Sequence, residues 1–207
     1  MTTAWRRRAA GFASALAAGL AAGGAGAAPL EVVVGGPAGK PLAGAVVFLE
    51  SAAARQAARP LPDIEIAQRD RAFDPAVTVV TPGTAVSFPN RDTVRHHVYS
   101  ISPAKPFEIK LYVGTPANPV VFDRPGVAVL GCNIHDPMVA WVVIVETPWF
   151  GQTGADGRWQ APDVPPGHYR LRTWHPGLAV GAPAAEQPLH VPSGGARVAV
   201  TLADVTP

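Results

Sequence analysis

Cys132, His135 and Met138 stand at intervals of three residues in LGCNIHDPMVAWVVIV, residues 130–145, and Cys132 is the only cysteine among 207 residues. A thiolate, an imidazole and a thioether form a donor set suited to copper. The two sulfur ligands are soft, and imidazole serves both oxidation states. Structural zinc sites use Cys and His but seldom Met, and one group of three lacks the second half of a finger. A type 1 copper site is a trigonal plane of two His and one Cys with a long, weak axial Met. The donor still missing is a second His. FPNRDTVRHHVYS offers His96 and His97 as neighbours on an expected strand. Side chains alternate along a strand, so the two rings point to opposite faces. The residues alone leave open which face holds the metal. His168, His175 and His190 have no Cys or Met beside them and are read as surface or packing residues.

These donors need rigid elements to bring them together. Short apolar runs recur between turn signals: LEVVVGG, GAVVFLE, AVTVVTPG, AVSFPN, HHVYSIS, FEIKLYV, PVVFD, VAVLGC, VAWVVIVE, HYRLRTW and ARVAVTL. Each is rich in Val, Ile, Phe or Tyr and is bounded by Gly, Pro, Asn or Asp, as strands are. Many short strands at this spacing indicate an all-β sandwich or barrel. The 23 Pro and 21 Gly leave little room for long helices. ESAAARQAARPLP, at residues 50–62, reads as a short helix or linker. Residues 30–50 look like a hairpin turning at PAGKPLAG. Asp156-Gly157 and Pro165-Pro166-Gly167 suit two further hairpin turns.

The N-terminus has the layout of an export signal. Arg6, Arg7 and Arg8 precede an Ala-rich, uncharged run that ends in small residues, and Ala25-Gly26-Ala27 fits an A-x-A cleavage site. Residues 1–27 are therefore expected to be removed and the remainder to work in the periplasm. Three of the 17 basic residues and none of the 15 acids lie in that segment, so cleavage turns a formal charge of +2 into −1. No basic patch interleaved with aromatics is left, which argues against a nucleic-acid partner. An exported chain with one Cys cannot close an internal disulfide.

FDPAVTVVTPGTAVSFPNRDTVRHHVYS and GVAVLGCNIHDPMVAWVVIV resemble the cupredoxins of the plastocyanin and amicyanin type. The short C-x2-H-x2-M loop is most similar to that of amicyanin. The chain as a whole resembles exported cupredoxin-like proteins labelled as methylamine-utilisation proteins. The resemblance covers residues 63–147 and implies a Greek-key sandwich. It also implies one type 1 copper held by His96, Cys132, His135 and Met138. The family has His, then usually Asn, then Val at the first ligand. His96, His97 and Val98 stand there in this chain, so the resemblance selects His96 and puts His97 in place of the Asn. GKPLAGAVVFLE and DGRWQAPDVPPGHYRLRTWHP resemble the two halves of a carboxypeptidase-regulatory-like, prealbumin-type sandwich. The implied organisation is a signal at 1–27, a first flanking part at 28–50, a linker at 51–62, the cupredoxin at 63–147 and the remaining flank at 148–207.

Four protein ligands leave a copper ion no open position for a substrate, yet the ion can still change charge by one. The histidines show no His-x-His clusters for a trinuclear centre, and no G-x-S-x-G elbow is present. The expectation is therefore an electron carrier and not an enzyme, with no small-molecule substrate. Its partner would be an exported redox protein such as a c-type cytochrome or a dehydrogenase. Two alternatives stand beside it: a copper-binding module for trafficking or storage, and a recognition sandwich without redox chemistry.

Overall fold

The computed structural model describes residue 1 and residues 28–206. The expected export signal and its cleavage site therefore lie, but for Met1, outside the described residues. No helix among the described residues is long and apolar enough to cross a membrane.

The all-β expectation holds. A five-stranded sheet carries the candidate site. Its order is Val77–Val80, Val139–Ile144, Gly126–Gly131, His96–Ser100 and Phe107–Tyr112. Val77–Val80 runs parallel to its neighbour and the other pairs are antiparallel. A three-stranded sheet of Val120–Phe122, Thr84–Ser87 and Ile64–Glu65 faces it. Alternation decides what lies between them. Ala140, Val142 and Ile144 point inward, as do Ala128 and Leu130, and they meet Val86, Phe88 and Phe122 in one buried cluster. A small hairpin, Ala67–Arg69 with Ala72–Asp74, contributes Phe73 to the same core.

The flanking segments build two more sheets. One has the order Phe150–Gln152, Val46–Glu50, Gly167–Trp174, Ala185–Val191; the other has Arg158–Val164, Ala28–Gly35, Ala196–Thr201. Leu30, Val32, Val34, Val47, Leu49, Trp159 and Leu171 fill the space between them. The opposite face of Val46–Glu50 is also covered. Val46 and Phe48, with Trp174, pack on Val143 and Val145 of the five-stranded sheet. Trp141 and Trp174 add an aromatic contact with ring centroids 6.4 Å apart. The four sheets thus stack as layers around three apolar interfaces. The unbroken run VVFL is explained by this stacking, because a strand covered on both faces has no reason to alternate.

The three expected hairpins are not hairpins. Ala28–Gly35 and Val46–Glu50 belong to different sheets, and so do the strands on either side of Asp156-Gly157 and of Pro165-Pro166-Gly167. The chain arches from one layer to the next at these points, so successive strands face each other across a core instead of pairing edge to edge. Turn residues mark a reversal of direction; they do not say whether the returning strand pairs or stacks. The stretch at 50–62 contains the helix Ala52–Ala57, and Ser51 caps it by accepting the Ala54 N–H at 3.0 Å.

Candidate metal centre

Cys132 follows the strand Gly126–Gly131, and Met138 immediately precedes the strand Val139–Ile144. The two strands pair directly, from Gly126 opposite Ile144 to Gly131 opposite Val139. The loop between them is consequently anchored at both ends. The Met138 N–H donates to the His135 carbonyl at 3.0 Å, closing a turn over Asp136-Pro137. That turn carries Met138 back inside, into the same apolar cluster as Cys132, while His135 stays half-buried at the rim. Gly131 at the strand end lets the Tyr99 ring pack closely, because an added Cβ there would sit 3.0 Å from it.

His96 opens the strand His96–Ser100, and Asn90 shapes the loop before it. The Asn90 amide donates to the carbonyls of Val94 and Tyr112 at 2.8 and 2.9 Å, and its Oδ1 accepts the Asp92 N–H at 2.9 Å. This fold sets Asp92 against His96, with Oδ2 2.7 Å from Nε2. Burial works to raise the Asp92 pKa. The Arg71 N–H, the His96 ring and the Asp70 N–H together outweigh it and hold the carboxyl below the usual carboxylate range. The anion therefore accepts the Nε2–H of His96, which leaves the lone pair of the neutral ring on Nδ1.

Nδ1 is the atom turned toward the other donors. It lies 3.2 Å from Nδ1 of His135, which in turn lies 4.0 Å from Sγ of Cys132. The three donor atoms are all within 4.8 Å of one another. Metal–nitrogen bonds of ~2.0–2.1 Å and metal–sulfur bonds of ~2.3 Å place neighbouring donors about 3 to 4 Å apart around one ion, so this set fits a shared metal. His96 is fully buried, and Cys132 and Met138 are 4% and 1% exposed. His97 is directed elsewhere. Its Nε2 meets Glu108 Oε1 at 2.9 Å, and its ring packs near Tyr99. Of the two adjacent histidines, His96 is the one that joins Cys132 and His135.

Tyr112 is a partly buried group near the sulfur. Its hydroxyl donates to the Phe88 carbonyl at 2.7 Å. Burial, with the Cys132 charge adding, pushes its pKa upward, so it stays a neutral phenol and offers no competing anionic ligand.

Asp92 is the residue of the candidate site that sequence reasoning missed. It lies four positions before His96 but outside any helix, so spacing gave no signal of contact. Its other partners are the N–H groups of Asp70 and Arg71, at 2.7 and 3.0 Å. Those two residues form the turn of the small hairpin, with φ of 53° and 56°. Neither is glycine, so the turn is in a backbone region that side chains disfavour. One carboxylate ties this turn to the ring of His96.

No family model matches the chain, and no curated protein matches it. Several solved structures resemble part of it. A copper-containing nitrite reductase (NirK) from Thermus scotoductus SA-01 is 26% identical over 42% of this chain, with a TM-score of 0.38; the chain spans 23% of that protein. A purple cupredoxin from Nitrosopumilus maritimus is 23% identical over 40% of this chain and 100% of its own, with a TM-score of 0.36. A single-site mutant of amicyanin in its reduced Cu(I) form is 17% identical over 48% of this chain and 98% of its own, with a TM-score of 0.37.

Proposed function

We propose that this protein is an exported one-electron carrier that holds a single type 1 copper ion between His96, Cys132, His135 and Met138. The convergence of three donor atoms within 4.8 Å inside an apolar core is the observation that carries this reading. Bound there, copper would supply a reversible one-electron couple. The chain's own part is to fix the donors. Asp92 orients the His96 ring, and the paired strands Gly126–Gly131 and Val139–Ile144 hold both ends of the loop. A cage set by the fold gives both oxidation states nearly the same coordination, which favours fast electron exchange.

His135 is the one donor at the surface, and its loop neighbours Ile134, Pro137 and Val139 are exposed. Electrons would pass through the His135 ring across this rim, where the exposed Asn133 and Asp136 stand among the apolar neighbours. The small, weakly held contacts typical of redox encounters need no larger surface. An exported redox protein such as a c-type cytochrome or a dehydrogenase is the kind of partner that fits, with the flanking sheets serving as a prealbumin-type support. The storage reading is less well supported, because such surfaces use several Met or Cys, whereas this chain has one Cys and, besides Met1, one Met, and both Cys132 and Met138 are buried.

The test is direct. Protein exposed to Cu(II) should develop an intense thiolate-to-copper absorption band and a matching paramagnetic resonance signal. Cys132→Ser, nearly isosteric in its pocket, should lose the band and keep the circular dichroism of the β fold. A Cys132→Ser protein that still carries the band would overturn the assignment.

A further inference from the structure

His168 and His190 lie outside the centre described above. They are directly opposed on the antiparallel strands Gly167–Trp174 and Ala185–Val191. Both are exposed, and their ring centroids are 4.6 Å apart with planes inclined by 32°. Directly opposed residues in such a ladder have Cβ atoms about 4.5–5.5 Å apart. Two imidazoles at that spacing can take adjacent positions on one ion. Both ring nitrogens of His96 and of His175 meet protein groups, and Nε2 of His97 meets Glu108, while its Nδ1 is buried. Among the described residues nothing engages those of His168 and His190.

The surroundings suit a cation. Continuing along the same face come Arg170 opposite Pro188, then Arg172 opposite Glu186. Arg170 is bound by Glu50 at 2.5 Å and by Glu186 at 3.7 Å. Arg172 lies 3.5 and 3.8 Å from the same two carboxylates. The positive charges nearest the pair are therefore compensated. Pro188 presents no donor that would compete for the rings.

We propose that His168 and His190 form a second metal site, a cross-strand chelate on the surface for a divalent transition-metal ion, with water completing the coordination. Imidazole suits copper, nickel and zinc, and among these Cu(II) binds such a site most tightly. The proposal does not depend on the buried centre. No sulfur donor takes part, so the bound Cu(II) would lack the intense thiolate band.

Cu(II) is the probe for the test. The full chain carrying Cys132→Ser, which removes the thiolate of the buried centre, is titrated with Cu(II) and followed by calorimetry and paramagnetic resonance. The titration is repeated with His168→Ala and with His190→Ala added. Loss of an outer hydrogen-bond partner alone weakens metal sites about 10- to 100-fold. Removal of either imidazole should therefore weaken the imidazole-type signal at least tenfold, and removal of both should add little. Both residues are exposed, so the variants should unfold at the temperature of their parent. An unchanged affinity in both single variants would overturn the proposal. So would a loss confined to one of them, because a chelate requires the pair.

Discussion

Replacing Asp92 by Asn tests whether one carboxylate serves both the fold and the metal. Its two oxygens accept three hydrogen bonds: from Asp70 N–H at 2.7 Å, from Arg71 N–H at 3.0 Å and from His96 Nε2–H at 2.7 Å. An amide offers one oxygen and turns an N–H₂ group toward whatever faces the other position. If the oxygen takes the Oδ1 position it keeps the Asp70 N–H, and the amide N–H₂ meets both the Arg71 N–H and the Nε2–H of His96. The ring must then move its proton to Nδ1, the atom needed for the metal, or turn away. If the oxygen takes the Oδ2 position it keeps His96 and the Arg71 N–H, and the Asp70 N–H loses its acceptor. Either outcome sacrifices at least one bond to a charged group, so the metal-free protein should lose about 1.5–3 kcal/mol. Copper affinity should fall about 10- to 100-fold, the usual effect of removing an outer partner of a ligating His. Urea unfolding of the metal-free protein gives the first quantity, and competition for Cu(I) against a chelator gives the second. A drop in stability with unchanged copper affinity would refute the link between the turn and the ligand. It would leave Asp92 as a turn anchor only.

Two further outcomes follow from the geometry. Val139→Glu places a charge on the exposed rim beside His135, and should slow electron exchange with the native partner without shifting the copper spectrum; stopped-flow mixing and visible absorption read the two separately, and an unchanged rate places the exit elsewhere. His175 has its pKa lowered by burial, partly offset by its contact with the Ala43 carbonyl at 3.2 Å, and its Nδ1 accepts the Gly177 N–H at 3.0 Å, so protonation breaks that second bond. The unfolded chain binds this proton more readily, so stability rises with pH here: the contribution is complete above about 6.5 and is lost as pH falls through the lower folded value. His175→Gln should flatten that part of the urea-midpoint profile, and a profile as steep as the parent's would assign the slope to another group.

The donor types and the strands were legible because both are local. C-x2-H-x2-M occupies only residues 132–138, and runs such as VAVLGC and VAWVVIVE declare strands by composition. His96 required more than local pattern, since alternation separates it from His97 without saying which ring faces inward. Asp92 was not legible because its role depends on the hairpin turn at Asp70-Arg71 and on the loop set by Asn90, and neither leaves a periodic trace. The facing of His168 and His190 was hidden for a similar reason. The two are 22 positions apart, and only the register of their strands, one residue either way, makes them partners. The arches failed as hairpins because Asp-Gly and Pro-Pro-Gly encode a reversal, whereas pairing or stacking is decided by the layers that receive the strands.

The ligand-bearing sheet has an outer face that is not written for water. Val77, Val79, Val127, Trp141, Val143 and Val145 lie on it, against Val46, Phe48 and Trp174 of the neighbouring layer. A gene fragment encoding only residues 63–147 would keep every candidate metal donor and yet bare this face, an apolar patch of the kind that drives proteins to associate. Descendants that shed the flanks would have to replace several of those residues by polar ones, or find another molecule to cover them. The candidate metal site and its neighbouring layer are thus coupled through a seam that touches none of the candidate ligands.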